Sequence, residues 1–188
     1  MSVLVKRVVV GVDGSEGSLA ALKQAAYEAI RHRAVLCPVL AWEVPGGEVL
    51  PSSQPTPFPA FQDVCRRSER QAEERLAEAC DSVLAQIPES LELCPRVLRA
   101  QPGPALVACS RKRTDMLVVG VGGHGRGYHL RHRSVRRHCL KHAGCPVLVV
   151  SPGQHPEPAA GPATSEPRAG RIATRTSVRE LPVPMKLR

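Results

Sequence analysis

Short apolar runs alternate with amphipathic segments along the chain as far as Val150. Continuous aliphatic runs such as Val3–Val12 and Val35–Trp42 are typical of strands that are buried on both faces. Apolar residues spaced three and four apart, as in Phe61–Ile87, are typical of helices that pack by one face. The pattern therefore predicts strands and helices in regular alternation.

Five strands and four helices follow from this pattern. The predicted strands are Val3–Val12, Val35–Trp42, Glu92–Ala100, Asp115–Val121 and Cys145–Val150; the predicted helices are one carrying Leu19 to Ile30, then Phe61–Ile87, Pro102–Arg113 and Ser134–Ala143. Alternation of this kind predicts an α/β fold, a parallel sheet with helices on both faces. Ligands bind such sheets beyond the carboxyl ends of the strands, at the point where the strand order reverses. The glycine-bearing turns after Val12 and Val119 leave carboxyl ends, so we expect them at one edge.

Three Cys-Pro pairs, at Pro38, Pro95 and Pro146, precede Val or Arg-Val runs. A repeated metal-binding motif is one interpretation of these three similar segments. Proline lacks an N–H and is tolerated at the first residue of a strand, so we favour the interpretation that the three prolines mark strand starts.

Two segments lack this patterning. Residues 43–60 hold five prolines and predict a long irregular loop, of the kind that is often functional in compact domains. From Pro152 onward the chain is rich in Pro, Ala, Gly, Ser and Arg and poor in apolar residues, which predicts a disordered tail over 152–188 after a single domain over 1–151.

Composition narrows the functional classes. Aromatic residues make up only 3% of the 188-residue chain, which leaves few platforms on which unpaired bases could stack. The seven cysteines are odd in number and include no C-x-x-C pair, so neither a disulfide framework nor a zinc ribbon is indicated. We find no secretory signal and no apolar stretch of membrane-spanning length, and we expect a cytoplasmic protein without a membrane partner.

The net charge of +9 is concentrated in one segment. Between Arg111 and Lys141 there are nine Lys and Arg residues against one acid, Asp115, together with four of the seven histidines, and a fifth, His142, follows directly. A charge run is most often a solvated face, but a local positive field also attracts anions. His138 and His142, four apart, share a helix face, yet zinc would require a third protein ligand; we predict no metal site there.

The stretch from Gly120 to Val135, GVGGHGRGYHLRHRSV, lies inside this basic segment. Gly120, Gly122 and Gly125 match G-x-G-x-x-G, but no Asp or Glu follows at the spacing that a dinucleotide ribose requires. Gly122 and Gly127 have Walker A spacing, but Tyr128 and His129 replace the required Lys and Ser/Thr. Neither motif is therefore assigned.

A looser arrangement remains, in which Gly120 and Gly123 are followed by Arg133-Ser134 at a predicted helix start. Glycines allow backbone N–H groups to converge on an anion, and a helix N-terminus adds further donors and a partial positive charge. Ser134 could cap this helix, donate to a phosphate, or do both.

Several pieces in order resemble the universal stress protein family. They are VVVGVDGS, QPGPALVACSRKRTDMLVVG, the G-x2-G-x9-G-[ST] type loop at Gly120–Val135, and HAGCPVLVV, which together cover residues 1–151. The resemblance implies a five-stranded parallel sheet in the order 3-2-1-4-5. It also implies ATP binding, with Mg²⁺ as a possible companion, a role in stress response or signalling, and a homodimer formed through Val147–Val150.

Carried over by position, the resemblance implies one set of nucleotide-binding residues. They are Gly11, Val12, Asp13, Ala41, Gly120, Gly123, Arg133, Ser134 and Val135. Asp13 would contact the ribose or a phosphate-linked metal, although Asp at this position also suits a turn or helix cap; Ala41 would offer its backbone to adenine. Arg133 replaces a glycine of the family pattern, and its side chain either blocks the approach of phosphate or binds it bidentately.

The sequence thus predicts a dimeric, ATP-binding switch. Without a placed general base, and with Asp13 as the single plausible metal carboxylate, fast hydrolysis is not predicted and the protein is not expected to be an enzyme. The alternative is a nucleotide-independent module whose basic segment binds a nucleic-acid backbone or an acidic protein, motivated by the arginines at 131, 133, 136 and 137. We do not expect binding to a membrane surface, because the sequence shows no basic amphipathic helix.

Overall fold

Nine elements form the fold in the computed structural model, which describes residues 4–43, 58–85, 87, 90–121 and 128–153. The strands are β1 (Arg7–Gly11), β2 (Val35–Trp42), β3 (Arg96–Arg99), β4 (Asp115–Gly120) and β5 (Val147–Val150); the helices are α1 (Glu16–His32), α2 (Phe58–Leu84), α3 (Pro102–Cys109) and α4 (Tyr128–His142). All strands pair in parallel in the order β3-β2-β1-β4-β5. The predicted fold class and strand order are confirmed.

Two apolar layers cover the sheet, one on each face. Val8 and Val10 of β1 pack with the alanines of α1 and with α2, whereas Val9 between them packs with α3. All three valines are fully buried. Because successive strand residues point to opposite faces, burial of both faces requires the continuous apolar run that the sequence shows.

The close fit of α1 on the sheet depends on small residues. Ala21, Ala25 and Ala29 recur along one side of the helix and have no exposed surface. Ser15 caps the start of α1 by accepting a hydrogen bond from the Ser18 N–H at 3.2 Å. At the other end Arg33 adopts a left-handed conformation, with φ of 53°, and its N–H reaches back to the last turn. These local features direct the chain from β1 over the sheet and into β2.

Pro38 was predicted to begin a strand, and this is wrong: β2 begins at Val35 and Pro38 lies inside it, opposite Val10. Leu36 donates its N–H to Glu92 on the β3 side, so by alternation the nitrogen of Pro38 also faces β3. There the pairing is interrupted between the Leu36–Leu93 bridge and the ladder that starts at Val39. The missing donor therefore falls in a gap of the ladder. Pro95 and Pro146 do directly precede strands.

Other boundaries shift by a few residues. α2 begins at Phe58 rather than within the next turn, because Pro59 lies in the first turn, where a missing N–H costs nothing. Of the predicted 43–60 loop, residues 44–57 lie outside the described residues, and so does the predicted tail beyond Gly153. Within the described part of the chain, no helix combines the length and the apolar character that crossing a bilayer requires.

Candidate functional site

At the carboxyl-terminal edge of the sheet β1 and β4 diverge, and we call the region beyond their divergence the crevice. The two strands pair from Arg7 opposite Asp115 to Val10 opposite Val118 and then separate. Beyond this point β1 follows β2, because Val12 donates its N–H to Val39 at 2.9 Å. β4 instead follows β5, and Val121 donates to Val150 at 2.7 Å. The chain leaves β1 toward β2 and leaves β4 toward β5, so this is the topological switch point of the sheet.

A tight turn directly after β1 lies beside this crevice. The Asp13 carboxylate accepts the Ser15 N–H at 2.9 Å, and Gly14 adopts a φ of 83° that favours glycine. The Asp13 N–H donates to the Ser18 hydroxyl at 3.3 Å, and that hydroxyl donates to the Ser15 carbonyl at 2.9 Å. Asp13 thus has the turn role that its residue type suggested, and the turn holds its carboxylate at the sheet edge.

Two glycines at the strand ends allow close packing. A Cβ on Gly120 would overlap the Gly17 carbonyl and approach the Ser18 nitrogen to 2.9 Å. A Cβ on Gly11 would approach the Leu106 side chain to 2.8 Å. Gly120 therefore brings the end of β4 against the first turn of α1, so that the helix N-terminus, with its partial positive charge, lies at the crevice.

Ala41 lies near the carboxyl end of β2, half-buried, and packs with the layer under α3 and α4. Trp42, the next residue, takes part in a cation–π contact that the sequence analysis missed. The Arg99 guanidinium lies 5.9 Å from the centroid of the Trp42 ring and 5.7 Å from that of the Phe61 ring. Such cation–π contacts orient an arginine at the edge of the sheet. The signal in the sequence was an arginine at the end of one predicted strand and a tryptophan at the end of another.

The helix that follows the glycine stretch starts earlier than predicted. α4 begins at Tyr128, so Arg133 and Ser134 lie more than one turn inside it rather than at its start. The prediction that Ser134 caps the helix is therefore wrong: residues 128–133 contain no Gly or Pro, and nothing stops the helix from extending toward the glycines. Val135 is half-buried and packs on the sheet, while Gly123 lies outside the described residues.

Four described cations of the basic segment lie away from the crevice. Arg111, Lys112 and Arg113 lie between α3 and β4, at the amino-terminal edge of the sheet. Lys141 lies in the last turn of α4, next to that same edge. Because β4 runs from one edge to the other, these cations are separated from the crevice by the length of the strand. A contiguous run of charge along the chain is thus divided by the fold.

The histidine pair of α4 forms as predicted, with ring centroids of His138 and His142 4.5 Å apart. Burial lowers the pKa of His138, and the neighbouring His142 and Lys141 lower it further. No group of three or more His, Cys, Asp or Glu side chains suited to a metal occurs in the part of the chain that the structure describes.

A buried ion pair fixes the opposite end of the two central strands. Arg7 donates to Asp115 through Nε at 3.3 Å and through Nη2 at 2.8 Å, and it donates to the Cys109 carbonyl at 2.7 Å. The Lys112 N–H also donates to Asp115, at 2.9 Å, and the pair raises the pKa of Arg7. Opposite charges at the first residues of two adjacent strands could have indicated this pair from the sequence.

Comparisons with known proteins agree with the observed fold. The family model for the universal stress protein family matches residues 5–151, and no curated protein sequence matches the chain. Among solved structures, the universal stress protein UspA from Lactobacillus plantarum is 20% identical, with a TM-score of 0.61 over 79% of this chain and 99% of that one.

Two further solved structures are similar over comparable spans. A universal stress protein in complex with cAMP is 25% identical over 80% of this chain and 99% of that one, with a TM-score of 0.48. The universal stress protein from Archaeoglobus fulgidus in complex with dAMP is 17% identical over 78% of this chain and 98% of that one, with a TM-score of 0.42. Since the family model covers most of the chain and the sheet has the expected order, the chain belongs to the universal stress protein family.

Proposed function

We propose that this protein binds an adenine nucleotide, ATP in the first instance, in the crevice between β1 and β4, and that it acts as a dimeric switch. The observation that carries the proposal is the separation of these strands beyond Val10 and Val118. Open parallel sheets bind ligands at this switch point. Family membership supports the same ligand class.

The residues around the crevice suit a nucleotide. Gly120 lets the end of β4 pack against the first turn of α1, and the partial positive charge of the α1 N-terminus favours phosphate at the crevice. Asp13 offers a carboxylate, which can accept several hydrogen bonds, so holding the turn is compatible with accepting a ribose hydroxyl or contacting Mg²⁺. Bound Mg²⁺ would neutralise phosphate charge.

An Asp13→Asn variant separates the two roles of Asp13. The asparagine oxygen can still accept the Ser15 N–H, so the turn is kept while the charge is removed. Loss of a charged hydrogen-bond acceptor from the ligand weakens binding by about 10-fold or more. Calorimetric titration with ATP measures the affinity, and thermal unfolding without ligand verifies that the fold is retained.

Asp81→Asn is the matched control, because it makes the same change at an exposed position of α2, away from the crevice. We expect it to keep the affinity of the unchanged protein. If ATP neither binds nor raises the melting temperature of the unchanged protein, the proposed function is wrong. If Asp13→Asn binds ATP at full affinity, Asp13 does not contact the ligand.

The proposal includes no fast hydrolysis. Among the described residues, the carboxylates beside the crevice are Asp13, which already holds the turn, and Glu16 in the first turn of α1, and the proposal assigns neither of them the role of general base. We therefore expect the purified protein with Mg-ATP to release phosphate no faster than the Asp13→Asn variant does under the same conditions, which sets the background rate. A phosphate-release rate well above that background would contradict this part of the proposal.

The dimer would form through β5, an edge strand that pairs only with β4 among the described strands. The carbonyls of Pro146 and Val150 face β4, so by alternation the polar backbone groups of Val149 face outward. Val149→Pro removes an outward N–H and leaves the pairing with β4 in place, since proline is tolerated on edge strands. Light scattering should then show a monomer in place of a dimer; a variant that stays dimeric would exclude this interface.

A further inference from the structure

Seven exposed cations lie along the amino-terminal edge of the sheet, opposite to the crevice. They are Lys6, Arg31, Arg33, Arg111, Lys112, Arg113 and Lys141, which we call the basic edge. Lys6 directly precedes β1, and the others lie where α1, α3 and α4 end and turn toward the next strand. The basic edge therefore collects residues that are far apart in the sequence.

Backbone contacts join these segments into a continuous surface. The Lys6 N–H donates to the Thr114 carbonyl at 2.8 Å, and the Lys6 carbonyl accepts the Val35 N–H at 3.1 Å. The Arg111 carbonyl lies 3.9 Å from where a Cβ on Gly144 would be. The segments before β2, β1, β4 and β5 thus lie side by side. At the usual strand spacing they span roughly 15 Å.

The cations of the basic edge form no ion pair with a described carboxylate, although Glu92 lies at the same edge of the sheet, before β3. The ion pairs between described residues join Arg7 to Asp115, His32 to Glu28 and Arg66 to Asp63, and none includes a member of the basic edge. Asp115, the acid nearest in sequence to Arg113, is 1% exposed and held by Arg7. Cations near helix C-termini also offset the helix dipole, but Lys6 follows no helix and lies at the centre of the surface.

From this arrangement we infer that the basic edge binds the phosphate backbone of a nucleic-acid duplex. Protein–protein interfaces have apolar centres and few lysines, whereas nucleic-acid interfaces are polar and strongly positive. Four of the seven cations are arginines, whose guanidinium groups suit phosphate oxygens. Such contacts read no sequence, so binding would be general for duplexes and sensitive to salt.

Fluorescence anisotropy with a labelled 20-base-pair DNA duplex of arbitrary sequence tests the inference on the full-length protein. Each phosphate contact contributes roughly −0.9 to the slope of log affinity against log salt. Lys112→Glu with Arg113→Glu should weaken binding about 10-fold or more in low salt and make the slope shallower by roughly 2. Lys6→Glu with Lys141→Glu, from two other segments, should act in the same direction.

Arg67→Glu with Arg70→Glu is the matched control, since it changes the net charge equally at exposed positions of α2. We expect it to keep duplex affinity within about twofold of the unchanged protein, because phosphate contacts act locally. Equal weakening by the α2 pair and the edge pairs would show general charge attraction and overturn the inference, as would a duplex that does not bind. Melting temperatures verify that each variant folds.

Two further measurements test whether the basic edge prefers a nucleic-acid duplex to lipid phosphate, and whether it acts independently of the crevice. Vesicles of phosphatidylcholine with phosphatidylserine should bind more weakly than the duplex; vesicle binding without duplex binding would assign the edge to lipid and overturn the inference. Asp13→Asn should leave duplex affinity unchanged, because the two surfaces lie at opposite edges. The two proposals can therefore fail independently.

Discussion

The backbone of Gly120, the last residue of β4, lies against the backbone of Gly17 in the first turn of α1. A side chain at position 120 would overlap the Gly17 carbonyl and crowd the Ser18 nitrogen. Both neighbours are backbone atoms and cannot rotate away. This contact sets how closely the carboxyl end of β4 approaches the helix N-terminus, and hence the shape of the crevice.

Gly120→Ala should therefore lower the free energy of unfolding by about 1–3 kcal/mol, the range typical of overpacking in a dense interior. Urea unfolding measures the loss. Because the added methyl moves β4 away from α1, ATP affinity should fall as well.

Gly144→Ala provides the matched control for this substitution. The nearest atom that a Cβ on Gly144 meets is the Arg111 carbonyl oxygen, at an ordinary 3.9 Å. We expect a change within about 0.5 kcal/mol. A Gly120→Ala variant as stable as Gly144→Ala would contradict the close contact at the crevice.

The fold could be predicted from the sequence because its signals are local. Aliphatic runs, amphipathic spacing and turn residues set the element order, and a parallel sheet follows from alternation. The strand Val35–Trp42 was predicted to the residue. The separate interpretation that Pro38 marks a strand start conflicted with that range and was wrong, because the tolerance of Pro38 inside β2 depends on a gap in the pairing with β3, which no local pattern reveals.

The candidate site could be predicted only in part. Gly120 and Asp13 were chosen as ligand residues, yet the contacts of Gly120 with Gly17 and of Asp13 with Ser15 belong to packing and a turn. The partner of Gly120 lies about a hundred residues away in sequence, so only the folded chain shows it. The start of α4 was misjudged because a serine resembles a cap wherever it occurs, and the basic segment was taken as one field because sequence contiguity hides the length of β4.

A second prediction concerns the Arg7–Asp115 pair. Asp115 is 1% exposed and accepts hydrogen bonds from Arg7 and from the Lys112 N–H. Asp115→Ala leaves the guanidinium partly buried without its partner and should cost about 3–5 kcal/mol of stability. Denaturant unfolding of the variant gives the value. Arg7→Lys, which keeps the charge but loses the bidentate geometry, should cost less.

The exposed pair on α2 serves as the control. Arg66 and Asp63 lie closer together, at 2.6 Å, but both side chains are more than half exposed. Asp63→Ala should therefore cost only about 0–1 kcal/mol. Equal losses for Asp63→Ala and Asp115→Ala would mean that burial does not govern the strength of the Arg7–Asp115 pair.

A third prediction concerns the response of the fold to alkaline pH. Burial raises the pKa of the Cys37 thiol to about 12, and raises those of Cys80 and Cys139 to about 11. In the unfolded chain these thiols ionise near pH 9, while the folded protein keeps them protonated. Between about pH 9 and 11 the unfolded state therefore binds fewer protons, and stability falls as pH rises, by about 1.4 kcal/mol per pH unit for each such thiol.

Cys37→Ala isolates one of these contributions, and Val39→Ala is its control on the same strand and the same face. Both side chains are 1% exposed, and only one of them can ionise. Urea unfolding at pH 8.5 and 10.5 should show that the Cys37→Ala variant loses about 2 kcal/mol less than the unchanged protein over this interval. Val39→Ala should lose as much as the unchanged protein, because removing its methyl groups lowers stability equally at both pH values. If all three proteins lose stability in parallel, Cys37 ionises at a similar pH in both states and its burial does not control the alkaline response.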